Sequence, residues 1–102
     1  MVNYNKLVRD KIPDIIKNQG ETPLTRILPE DEYLQRLDAK LSEEVGEYQE
    51  SKAIEELADI LEVVFAISEA RGCTTGDLMD VYREKHEKRG GFSKRILLIS
   101  KE

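Results

Sequence analysis

Cysteine and histidine occur once each in the 102 residues, as Cys73 and His86, and tryptophan is absent. A single cysteine excludes an internal disulfide and makes a reducing, cytoplasmic setting the expectation. Its thiol reads as a small buried hydrophobe or an inert group beside a helix cap. With so few nitrogen and sulfur ligands, the usual zinc sets cannot be assembled, and any metal would be held by oxygen. No apolar run approaches the ~20 residues of a membrane span. The opening "MVNYNKLVRDK" lacks the apolar region of a signal peptide, so no membrane partner is expected. Neither G-x-x-x-x-G-K-[S/T] nor G-x-G-x-x-G occurs, so phosphate would have to be met by side chains and metal. An EF-hand loop and the Glu-x-x-His pairs of a di-iron bundle are missing too. Repeats and low-complexity linkers are absent, and residues 1–102 read as a single domain.

Charge is abundant, and it is unevenly spread. The net charge is −5, which argues against a nucleic-acid partner. Residues 1–29 carry +2, residues 30–62 carry −9, residues 63–82 carry −2 and residues 83–102 carry +4. An acidic middle between two basic ends suits an anionic substrate that arrives with a divalent cation.

The pattern along the chain is helical. "IPDIIKNQG" predicts a short helix with Pro13 at its start and Gly20 just past its end. "TPLTRILPE" reads as extended or looped. From about Glu30 to Ser51, Leu34, Leu37, Leu41, Val45 and Tyr48 form one stripe at three- and four-residue steps. A second helix is predicted from Lys52 or Ile54 to Arg71, closed by Gly72. A third begins with Thr74 or Thr75 as N-cap and Asp77 in its first turn, and ends at Gly90-Gly91. The tail "FSKRILLIS" is apolar enough for a strand, which would pair with "TRIL". The expected fold is therefore all-α: a helical hairpin or bundle of about four helices with at most a small two-stranded β element. "ILEVVFAI", residues 60–67, is apolar on nearly every side and must be surrounded. Too few helices are present to do so, which predicts a homo-oligomer, a dimer or higher.

Two acid pairs stand out. At about 100° per residue, Glu43 and Glu50 point away from the apolar stripe, as solubility alone would place them. Glu44 lies at the edge of the stripe, with Glu47 on the same flank and Lys40 one turn before. The next helix repeats the device with Glu56 and Asp59, which share a side with Val63, Ala66 and Ala70. A hairpin across the tight "SKAI" connection brings both pairs toward its closed end. Four carboxylates together resist ionisation without a cation. Mg²⁺, which takes carboxylate oxygen and keeps several waters, resolves the conflict. Glu55, Glu62 and Glu69 make a seven-residue seam that reads as solvent-facing, with Glu62 a possible outer ligand.

"EEVGE" (43–47) followed by "ELAD" (56–59) resembles the E-E-x-x-E and E-x-x-D motifs of the MazG-type all-α nucleoside triphosphate pyrophosphatase superfamily. "YNKLVRDKIP" and "KHEKRGGFSKRILL" are similar to the ends of its small house-cleaning branch, which acts on non-standard nucleotides. The resemblance covers nearly the whole chain. It implies Mg²⁺-dependent hydrolysis of a nucleoside triphosphate to the monophosphate and pyrophosphate. Glu44, Glu47, Glu56 and Asp59 would be the metal ligands, and Glu43 the residue that orients or deprotonates water. It also implies a site built by helices of two subunits. Lys6, Arg9, Lys11, Lys40, Lys85, Lys88 and Arg89 are the basic residues expected to meet the phosphates, and Phe92, Tyr48 or Tyr33 to stack on the base. Two other readings stand beside this one: hydrolysis of phosphoribosyl-ATP, and a non-catalytic helical dimerisation module that binds a nucleotide or a cation.

Overall fold

The computed structural model describes residues 4–102. Four helices follow one another: α1 (Ile12–Asn18), α2 (Glu30–Ser51), α3 (Ile54–Ala70) and α4 (Thr75–Arg89). No helix is long and apolar enough to cross a membrane among the described residues.

Local chemistry sets the boundaries. Pro13 sits in the first turn of α1, where a missing N–H costs nothing. α2 stops at Lys52, which takes a left-handed conformation (φ 59°) and caps with its N–H on the Tyr48 carbonyl at 2.8 Å. The Lys52 ammonium lies 5.5 Å from the Tyr48 ring centroid, a contact that helps offset the cost of that backbone state. Only Lys52 and Ala53 then separate α2 from α3. At α4, Thr74 Oγ1 accepts from the Asp77 N–H and Asp77 Oδ2 from the Thr74 N–H, both at 3.0 Å. This reciprocal capping box satisfies two donors that a helix start leaves free.

The hairpin of α2 on α3 is the packed part of the molecule. Leu37 (3% exposed) and Val63 (7%) face each other's helices as its only buried apolar residues. Leu34, Leu41, Val45 and Tyr48 of the predicted stripe are half-buried around them. α4 packs lightly on α3, and α1 packs on none of the other described helices. Arg26 grips Glu32 with two bonds, at 3.1 and 2.6 Å, tying the loop before α2 to its first turn. That guanidinium holds the Glu32 carboxyl below its ordinary range.

No strand forms among the described residues, as the all-α expectation with at most a small β element allows; a strand without a partner leaves its backbone groups unpaired. Leu24, Ile27, Phe92 and Ile96 through Ile99 are bare. One of the two readings of Cys73 is corrected: the residue is exposed, not buried, and it adjoins the Thr74 cap of α4. Its carbonyl accepts from Ser68 Oγ at 2.9 Å, which closes the α3–α4 turn.

The single chain is extended. Its radius of gyration is 18.0 Å, against about 13 Å for a compact domain of this length. It exposes 9357 Å², where a folded monomer of 11.7 kDa exposes about 5,900 Å².

Candidate metal centre

Glu44 is the pivot of the acid cluster. It is only 6% exposed, the one buried charged residue of the described chain, and it meets Glu56 and Asp59 of α3. Two groups of carboxylates share it. Glu43, Glu44 and Glu47 bring one oxygen each within 4.8 Å of one another, and so do Glu44, Glu56 and Asp59. The two inward pairs expected from the helical wheel thus do meet across the hairpin, and they meet at Glu44. Glu47 departs from expectation by lying exposed and grouping with Glu43, on its own helix.

The electrostatics of Glu44 are unfavourable as the chain stands. Burial, then a hydrogen bond and charge repulsion from Glu47, then the charge of Asp59 push its carboxyl above the ordinary value of 4.5. Lys40, whose ammonium lies 3.5 Å from Oε1, works the other way and does not prevail. Glu44 Oε2 is buried without any hydrogen-bond partner. An orphaned buried carboxylate oxygen is costly, and a divalent cation would remove that cost. The donors present are all carboxylate oxygens, the chemistry that Mg²⁺ takes. These residues fit the ion.

Cationic side chains cover the cluster from the N-terminal segment. Arg9 Nη2 donates to Asp59 Oδ1 at 2.7 Å, and Lys6 Nζ lies 3.3 Å from Glu43 Oε1. Lys40 Nζ also lies 3.9 Å from Glu43 Oε2. Glu43 lies on the outward side where the wheel put it, with its side chain 36% exposed, and two lysines flank its carboxylate. A small cavity lined by Asn5, Lys6, Leu7, Arg36, Ala39, Lys40 and Glu43 adjoins the acids. Arg36, which donates to the Asn5 carbonyl at 3.1 Å, escaped the sequence reading. Its neighbour in the cavity wall is 31 residues away, and no local pattern marks it.

The remaining predicted residues are not brought to the acids within one chain. Lys11 is exposed at the start of α1. Lys85, Lys88 and Arg89 line a shallow groove of α4 with Val81 and Glu84. Lys88 pairs at 2.9 Å with Glu84 of its own helix. Phe92 is 98% exposed, and Tyr33 and Tyr48 are half-buried on α2. Glu62 and Glu50 are exposed, and neither belongs to the acid groups.

No family model matches the chain, and no solved structure matches it. A curated protein of Mycolicibacterium smegmatis, described as an uncharacterized protein, is 57% identical over 42 residues. The match covers 41% of this chain and 43% of that relative, so the two are alike over less than half of either length.

Proposed function

We propose that this chain is a Mg²⁺-dependent nucleotide pyrophosphohydrolase, which cleaves a nucleoside triphosphate, non-standard ones foremost, to the monophosphate and pyrophosphate. The observation that carries the reading is Glu44: a buried carboxylate with an unpaired oxygen, ringed by Glu47, Glu56 and Asp59. The motif resemblance supplies the reaction, and the cations beside the cluster suit a polyphosphate.

Glu44, Glu47, Glu56 and Asp59 would hold the ion, which when bound neutralises phosphate charge and polarises the phosphoryl group. Water attacks phosphorus, the α–β anhydride bond breaks, and pyrophosphate leaves with the bridging oxygen. Glu43 would take the proton that water gives up; Lys6 and Lys40 flank its carboxylate. Arg9 occupies Asp59 in the resting chain. Arg9 would turn from Asp59 to meet the phosphate charge.

The reading is tested by incubating the protein with standard and modified nucleoside triphosphates plus Mg²⁺ and detecting pyrophosphate. Folded protein that releases none from any of them refutes it. Arg9→Ala separates the two roles of that residue. It should raise KM by about tenfold, as expected for a lost charged hydrogen bond, with cation affinity unchanged or tighter. A KM that stays put would remove Arg9 from the substrate site.

A further inference from the structure

α3 carries a second apolar face that the described residues leave partly exposed. Val63 points into the hairpin. On the opposite side of the helix lie Ile54 (71% exposed), Leu57 (39%) and Leu61 (53%), at three- and four-residue steps. Glu55 and Glu62, both exposed, border that face along one edge. The tail has the complementary character. Phe92, Ile96, Leu97, Leu98 and Ile99 are all between 78% and 98% exposed, and Lys94, Arg95 and Lys101 are interspersed with them.

We infer that the tail, residues 92–101, docks as an exchanged arm on the Ile54–Leu57–Leu61 face of a second copy of this chain. Three observations select that occupant. The chain exposes 9357 Å², roughly 3,500 Å² more than a monomer of its mass should, an excess larger than the about 1,000–2,500 Å² that each partner of an obligate homodimer buries. The basic tail meets a face bordered by glutamates, so charge places it in register. Four consecutive large apolar residues, 96–99, are the kind of segment that folded chains cover. The two arms of a two-fold pair would then bury both open faces at once. This surface stands whether or not the acid cluster turns over a nucleotide.

Two measurements decide it. By light scattering at micromolar concentration the full chain should be a dimer or larger. A variant with Ile96→Ser, Leu97→Ser and Leu98→Ser should dissociate to a smaller species. Its helical circular dichroism should persist, because the tail belongs to no helix. For the contact itself, Leu57→Cys and Leu97→Cys are placed singly in a Cys73→Ser background and the two proteins are mixed with a bismaleimide. Cross-linked pairs containing one copy of each are expected. A monomeric full chain, an assembly unaffected by the three serines, or no cross-link between the two single-cysteine proteins would each overturn the inference.

Discussion

Glu44→Gln should make the metal-free protein more stable and abolish its response to Mg²⁺. In EDTA at neutral pH, the substitution removes a buried charge that burial and Glu47 disfavour, while keeping the side chain's volume. A gain of about 1–2 kcal/mol is expected, the scale of an unsatisfied buried group, seen as a rise of several degrees in Tm. The pH dependence has a definite sign. The folded-state pKa of Glu44 is raised above its ordinary value of 4.5, so the folded state binds this proton more tightly than the unfolded chain does. Its stabilising contribution is full below 4.5 and is lost as pH rises through the raised folded value. Metal-free wild type should therefore lose stability across that window, and Glu44→Gln should flatten the loss. Added Mg²⁺ should stabilise wild type and leave the variant unmoved. A variant less stable than wild type in EDTA would mean that Lys40 already satisfies the carboxylate.

Asp59→Asn should reduce pyrophosphate release by about 100- to 1,000-fold, since a lost charge at the metal removes several kcal/mol of transition-state stabilisation. The fold should hardly notice. Asp59 and its partner Arg9 have side chains 40% and 56% exposed, and exposed pairs contribute less than about 1 kcal/mol. Unchanged helicity and Tm with collapsed turnover is the expected signature. Turnover within a few-fold of wild type would move the metal site off α3.

How much of this could be read from residues alone follows from the range of each interaction. Pro13, Gly72, Gly90 and a threonine cap at 74 or 75 with Asp77 in the first turn act over a few residues, and the helix ends are found there, with Thr74 as the cap. The inward turn of Glu44 followed from its place beside Leu41 and Val45, again a local matter. What the wheel does not show for Glu43 is its partner Lys6, 37 residues away, because a helical wheel sees only its own helix. Arg36 was missed for the same reason. The tail reads as a strand by composition, but a strand exists only where another strand pairs with it, and none does among the described residues. Gly46 lies between Glu44 and Glu47. A Cβ there would meet nothing within 4 Å, so no neighbour among the described residues requires a glycine.

The central claim is that the carboxylates gathered around Glu44 hold a divalent cation, and electron paramagnetic resonance with Mn²⁺ as the probe tests it most directly. Titrating Mn²⁺ into the protein should diminish the free-ion signal, Mg²⁺ should restore it by competition, and Glu44→Gln should leave it undiminished. A free-ion signal unaffected by wild-type protein, or binding retained in full by Glu44→Gln, would contradict the account.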